Sequence, residues 1–133
     1  MLLDSCFCID LFREKARGQF GPAQRKLAEL EERKIYLSLF SLCELKSGAL
    51  LSRNPQAELR KVELLTNFAE VIYPNTSFSV IYGELEAHLR HNGQPIPVMD
   101  LLIAVTAKAE GLPLLTKDLD HFRRIPGLVV EGY

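Results

Sequence analysis

The chain has 133 residues, of which 47% are hydrophobic and 25% charged, and this composition is typical of a globular protein rather than of a disordered or fibrous one. The length fits a single domain, residues 1–133, which buries about two-thirds of its unfolded surface without disulfides. The 16 Lys and Arg residues against 17 Asp and Glu residues give a net charge of -1, which excludes a uniformly basic nucleic-acid-binding surface but allows local basic patches.

Five short apolar runs along the chain predict β-strands. They are β-branched or leucine-rich and fall at residues 1–3, 35–39, 71–73, 112–115 and 128–130. Between these runs, apolar residues recur at helical spacing in the segments 23–30, 42–49, 59–65 and 78–89, and the segment 101–107 is apolar nearly all round. Strands that alternate with helices indicate a parallel sheet covered on both faces, so the predicted fold class is α/β.

The cysteines and the N-terminal segment indicate the compartment. Cys6, Cys8 and Cys43 form no Cys-x-x-Cys motif and have apolar neighbours, which predicts reduced thiols in a cytoplasmic protein. The N-terminal apolar run lacks a basic start and is interrupted by Asp4 and Asp10, so we do not expect a signal peptide. No apolar run is long enough to cross a bilayer, and we expect no membrane association.

Four acidic residues follow the predicted strands or begin the predicted helices: Asp4, Glu44, Asp100 and Asp118. In an open parallel sheet, strand ends and the following helix starts meet at one edge, so these carboxylates are expected to converge there. Each also has a purely structural explanation. Asp4 and Asp118 are suitable helix N-caps, Glu44 has the capping-box spacing from Ser41, and Asp100 complements a helix dipole.

Taken together, the four carboxylates favour a metal site over four separate caps. Gathered at one edge they would repel one another unless a cation neutralised them. Oxygen-only ligands suit Mg²⁺ or Mn²⁺ rather than zinc. One such ion, or a pair, activates water and stabilises the charge that develops on a phosphodiester. The residues therefore predict metal-dependent phosphodiester cleavage.

The segments MLLDS, SLCELKSGAL, PVMDLLIAVTAKAEGLPLLTKDLDHF and RIPGLVV resemble a PIN-domain ribonuclease, and more narrowly a VapC-type toxin of bacterial toxin–antitoxin pairs. The resemblance implies an α/β/α sandwich around a parallel sheet of about five strands. It implies Mg²⁺ or Mn²⁺ as cofactor, RNA as substrate, a homodimer and a VapB-type antitoxin that alone contacts DNA. Its catalytic acids fall at Asp4, Glu44, Asp100 and Asp118, with Asp4, Asp100 and Asp118 as metal ligands and Asp120 as a rival for the fourth acid.

Four further residues lie next to the predicted acids in the sequence or are expected near them. Lys46 and Lys117 adjoin the acids and are predicted to contact the RNA backbone. Cys6 stands where these toxins often carry Asn, so a hydrogen bond to the site is either lost or made by another group. His121 lies near the site, but the proposed chemistry does not require a histidine.

Two other functions are compatible with an α/β fold that carries acidic residues at strand ends. Phosphotransfer through an aspartyl phosphate fits poorly, because Cys6 occupies the position of the second Asp in an Asp-x-Asp motif. The alternative is a non-cleaving PIN-like module that binds a partner protein or nucleic acid.

Overall fold

A single parallel sheet lies at the centre of the computed structural model, which describes residues 1–133. Its strands are β1 (Leu2–Leu3), β2 (Tyr36–Ser38), β3 (Glu70–Ile72), β4 (Leu114–Leu115) and β5 (Val130–Glu131). The five strands are ordered β3-β2-β1-β4-β5, and every neighbouring pair is parallel. The predicted α/β class and the parallel sheet of five strands are confirmed.

Helices cover both faces of the sheet. They are α1 (Ser5–Ala16), α2 (Pro22–Glu29), α3 (Leu39–Leu50), α4 (Pro55–Thr66), α5 (Phe78–His91), α6 (Val98–Ala109) and α7 (Leu119–Phe122). Because side chains alternate along a strand, Leu3 joins a core with residues of α1 to α4, whereas Leu2 joins a second core with residues of α5 to α7. These two cores on opposite faces make the α/β/α sandwich.

The order of the strands reverses at β1. From β1 the chain moves outward to β2 and β3, and it then returns to place β4 on the other side of β1. Connections leave in opposite directions at such a switch point, which opens a crevice at the carboxyl ends of the two central strands. Asp4 directly follows β1 and Thr116 directly follows β4, so both residues lie at this crevice.

Helix α3 begins earlier than the sequence indicates. Its N-cap is Ser38, the last residue of β2, whose Oγ accepts a hydrogen bond from the Ser41 amide at 2.9 Å. The capping box expected from Ser41 and Glu44 is therefore not formed, and Glu44 lies in the second turn of the helix instead of opening it. Helix capping therefore accounts for the presence of Ser38 but not for that of Glu44.

Helix α6 is the most apolar helix, and it is an internal element of the domain. It has 12 residues, and residues 103–107 are all buried. No helix in the structure combines the length and the apolar character that crossing a membrane requires.

Candidate active site

His121 lies between two carboxylates at the carboxyl edge of the sheet. Its Nδ1 atom is 2.9 Å from Oδ2 of Asp100 and 2.8 Å from Oδ2 of Asp118. One ligand atom from each of these three residues lies within 4.8 Å of the other two. Asp100 comes from the first turn of α6, and Asp118 is the N-cap of α7, accepting a hydrogen bond from the His121 amide. The helix before β4, which carries Asp100, and the segment after β4, which carries Asp118 and His121, therefore meet at this point.

The structure distinguishes Asp118 from Asp120, the two candidates for the fourth acid. Asp118 belongs to the cluster with Asp100 and His121, whereas Asp120 is exposed and forms no ion pair. Although the two aspartates are two residues apart, they point to different sides of the short helix, because neighbours at that spacing do not share a helix face.

Asp4 lies beside this cluster and is held by hydrogen bonds. Its side chain is buried, and its Oδ2 accepts hydrogen bonds from Thr116 Oγ1 at 2.7 Å and from Cys6 Sγ at 2.9 Å. Thr116 Oγ1 also accepts the amide hydrogen of Asp118 at 3.0 Å. Thr116 therefore connects the acid after β1 to the acid after β4 across the crevice. Asp4 occupies the N-cap position of α1 but makes no side-chain capping bond, so capping does not account for it.

VapC-type toxins often carry Asn at the position of Cys6, and here the Cys6 thiol makes the hydrogen bond to Asp4 instead. Burial raises the pKa of Cys6, and the neighbouring negative charge of Asp4 raises it further. The thiol consequently keeps its proton at neutral pH and remains a donor to Asp4.

Glu44 reaches the site through Ser5. The Ser5 hydroxyl donates a hydrogen bond to Glu44 Oε2 at 2.7 Å, and its oxygen lies 3.4 Å from Asp4 Oδ1. Glu44 is therefore on the Asp4 side of the site and is not part of the cluster of Asp100, Asp118 and His121. The four predicted acids are arranged as a connected row rather than as one tight group.

The acids destabilise one another in the ionised state. Burial raises the pKa of Asp100, and the charges of Asp4 and Asp118 raise it further, while the hydrogen bond with His121 acts in the opposite direction. Neighbouring charges shift a pKa most when they lie within several ångströms, and partial burial weakens the screening between them. The influence of Asp4 on Asp100 is consistent with the acid after β1 and the acid at the start of α6 belonging to one electrostatic site.

The two predicted RNA-contacting lysines differ in their surroundings. Lys117, which stands between Thr116 and Asp118 in the sequence, places its Nζ 2.7 Å from Oδ2 of Asp10. Burial alone would raise the pKa of Asp10, but hydrogen bonds from Lys117 and Tyr133 lower it overall. Lys46 is exposed and forms no ion pair, and it lies two positions after Glu44, on another side of α3.

Sequence reasoning placed His121 near the site without assigning it a function. The available signal was its position three residues after Asp118, because this spacing puts two side chains on one face of a helix. The link from Asp10 to Lys117 and Tyr133 joins residues more than 100 positions apart, and no local pattern reveals it.

Comparison with known proteins identifies the family of this arrangement. Residues 1–128 match the PIN domain family. Ribonuclease VapC1 of Haemophilus influenzae (strain R2866) is 34% identical over 106 residues, which are 80% of this chain and 79% of that protein. The tRNA(fMet)-specific endonuclease VapC of Salmonella typhimurium is 30% identical over 99% of this chain and 96% of its own length.

A solved structure agrees with these relatives. The crystal structure of DNA-bound VapBC from Salmonella typhimurium includes a chain that superimposes with a TM-score of 0.87, at 30% identity, over 98% of this chain and 96% of that chain. The fold, the matched residues and the named relatives lead to one assignment: the chain belongs to the PIN-domain family, among the VapC ribonucleases of toxin–antitoxin systems.

Proposed function

We propose that the chain is a Mg²⁺- or Mn²⁺-dependent endoribonuclease and the toxin of a VapBC-type pair. The observation that carries the proposal is the meeting of the Asp100 and Asp118 carboxylates at the crevice, with the buried Asp4 close enough to raise the pKa of Asp100. Oxygen-rich donor sets of this kind fit a hard divalent cation. Zinc sites usually combine several thiolates or imidazoles, whereas this site offers mainly carboxylates with one imidazole, and the Cys6 thiol is engaged with Asp4.

The acidic residues have two different roles, metal binding and activation of the attacking water. Asp4, Asp100 and Asp118 would hold the cation, which when bound would supply Lewis-acid activation of the phosphate and of the attacking water. Glu44 is held by Ser5 at the Asp4 end of the row, where its carboxylate orients the water and accepts its proton. Thr116 and Cys6 fix the orientation of Asp4 by donating to the same oxygen, which keeps its other oxygen directed away from them.

The substrate is RNA, and the cations at the rim of the site bind its backbone. Lys117 is held by Asp10 directly beside the acidic row and is placed to contact a phosphate that flanks the scissile bond. Lys46 is exposed on α3 and would add a second contact to the RNA backbone. The Salmonella relative is named for its action on tRNA(fMet), which makes that RNA the first substrate to test.

A VapB-type antitoxin covers the groove between α1, α3 and α4. The groove is about 390 Å³ in volume, and half of its lining residues are hydrophobic, including Ile9, Phe12, Leu45 and Val62. Polar and charged residues, with Glu44 among them, line the rest. An amphipathic helix from the antitoxin fits such a groove and would block the acidic site from one end. In this assembly the toxin is a cytoplasmic homodimer and contacts DNA only through the antitoxin. The Salmonella typhimurium relative has been solved as a DNA-bound VapBC complex.

Replacing the acids should abolish cleavage without unfolding the protein. Purified toxin, freed of antitoxin, is incubated with labelled tRNA(fMet) in Mg²⁺, in Mn²⁺ or in EDTA. Asp4→Asn, Asp100→Asn and Asp118→Asn should each lower the rate on the order of 100-fold, because each removes a charged group from the reacting site. Asp120→Asn is the matched control and should cleave like the wild type. Cleavage that persists in EDTA or in Asp100→Asn would contradict a metal-dependent acidic site, and no cleavage by the wild type in either metal would favour the non-cleaving binding module.

The same acids should cost the metal-free protein stability. A carboxyl with a raised pKa in the folded state stabilises the fold at low pH, and this stabilisation is lost as the pH rises through the folded-state pKa. Asp100→Asn should therefore raise the Tm at neutral pH in EDTA, and the gain should shrink as the pH falls towards about 4. Thermal unfolding followed by circular dichroism measures the shift, with Asp120→Asn as control. An unchanged or lower Tm for Asp100→Asn at neutral pH would show that the acids do not repel one another.

Lys117 should contribute to RNA binding through charge. In an inactive Asp100→Asn background, Lys117→Gln should weaken RNA binding and reduce the slope of log affinity against log salt by about one. Lys34→Gln is the control, because Lys34 pairs with Glu70 at the opposite end of β2. Fluorescence anisotropy at several salt concentrations measures both slopes, and Lys46→Gln is measured alongside. Equal slopes for Lys117→Gln and Lys34→Gln would remove Lys117 from the RNA interface.

A charge placed in the α1–α3–α4 groove should release the antitoxin. Ile9→Asp introduces a carboxylate into the apolar lining, and we expect affinity for the antitoxin encoded beside the toxin to fall on the order of 10-fold or more. Val129→Asp is the control, because Val129 is exposed beside β5 and away from the groove. Co-purification with the tagged antitoxin measures the effect. Retention of the antitoxin by Ile9→Asp would exclude this groove.

A further inference from the structure

We propose that His121 is a nitrogen ligand of the metal site and that it makes the site prefer Mn²⁺ to Mg²⁺. This inference rests on the proposed metal-dependent function and adds to it a residue and a selectivity that the acids alone do not provide. Its starting point is the position of one imidazole nitrogen between two carboxylates that belong to the proposed ligand set.

The distances match those between neighbouring ligands of one ion. Neighbouring ligands of an octahedral cation with bonds of about 2.1 Å lie about 3 Å apart. His121 Nδ1 is 2.9 Å from Asp100 Oδ2 and 2.8 Å from Asp118 Oδ2, and one ligand atom from each of the three residues lies within 4.8 Å of the other two. The nitrogen therefore already has the spacing of a neighbouring ligand to each of the two carboxylates.

Hydrogen bonding alone accounts incompletely for this arrangement. An imidazole Nδ1 carries at most one proton, so it can donate one full hydrogen bond and not two. Its contacts to the two carboxylates are of nearly equal length, and no other hydrogen bond to its ring atoms is present. A cation shared by the nitrogen and both oxygens satisfies all three groups at once.

The fold holds the imidazole in this position. His121 lies in α7, and Asp118 is the N-cap of this helix. The backbone amide of His121 donates a hydrogen bond to the Asp118 carboxylate. The next residue, Phe122, is fully buried in the core shared with α5 and α6. Because the buried Phe122 fixes the position of α7, the backbone of His121 is also fixed, and its ring is directed at Asp100 and Asp118.

The chemistry of the nitrogen ligand sets the selectivity. Imidazole binds transition metals well, whereas Mg²⁺ keeps oxygen ligands and several waters. With His121 the site offers a mixed nitrogen and oxygen set, which favours Mn²⁺. Without His121 it offers carboxylates only, and the advantage of Mn²⁺ should largely disappear.

Electron spin echo spectroscopy of bound Mn²⁺ tests the ligand directly. The wild-type toxin, freed of antitoxin and loaded with Mn²⁺ alone, should show the nitrogen modulation of a coordinated imidazole. The modulation should vanish in His121→Asn and persist in His88→Asn, because His88 is exposed on α5. Titration should show Mn²⁺ affinity falling on the order of 10-fold in His121→Asn, with Mg²⁺ affinity within about twofold of the wild type.

The outcomes separate this inference from the proposed function. Mn²⁺ that binds the wild type without nitrogen modulation overturns the inference and leaves the acidic metal site intact, with His121 serving only as a hydrogen-bond donor to the acids. Modulation that persists in His121→Asn also overturns it. Failure of the wild type to bind Mn²⁺ contradicts the proposed function itself. The wild-type spectrum is decisive even where His121→Asn is poorly folded.

Discussion

Mutual repulsion of partly buried carboxylates is the interaction on which this site depends. Asp4 and Asp118 raise the pKa of Asp100, which burial has already raised, and only His121 opposes them from within the chain. A protein gains no stability from such an arrangement, because each carboxylate loses water and gains a like-charged neighbour. Under the proposed function, the arrangement serves to bind a divalent cation, and the cation in turn binds the phosphate of the substrate.

The fold creates this arrangement by the order of its strands. Because β4 returns to the far side of β1, the residues that follow these two strands face each other across a crevice, and Thr116 connects them. Helix α6 then contributes Asp100 from its first turn, and α7 contributes His121. The polar groups that orient the acids, which are Ser5, Cys6 and Thr116, all lie at helix starts or strand ends. The apolar cores on both faces of the sheet hold those ends in place.

Much of this could be predicted from the sequence, and the reasons are local. Alternating apolar runs and helical periods predicted the α/β class, and the position of Asp4, Asp100 and Asp118 next to strands or helix starts predicted their convergence. The predicted start of α3 was wrong, because Ser38, which lies inside the predicted strand and six residues before Glu44, caps the helix. The roles of His121 and of the Asp10–Lys117 pair could not be predicted, since they depend on how distant segments pack. The RNA contacts of Lys46 stay a prediction.

The central claim is that Asp4, Asp100 and Asp118 jointly hold one or more divalent cations. Crystals of the toxin grown with Mn²⁺ and measured at the manganese absorption edge test it most directly. We expect an anomalous peak at the crevice between β1 and β4, within ligand distance of Asp100 and Asp118 and adjacent to Asp4. A fully loaded crystal with no peak there, or with its only peaks elsewhere on the surface, would contradict a shared metal site.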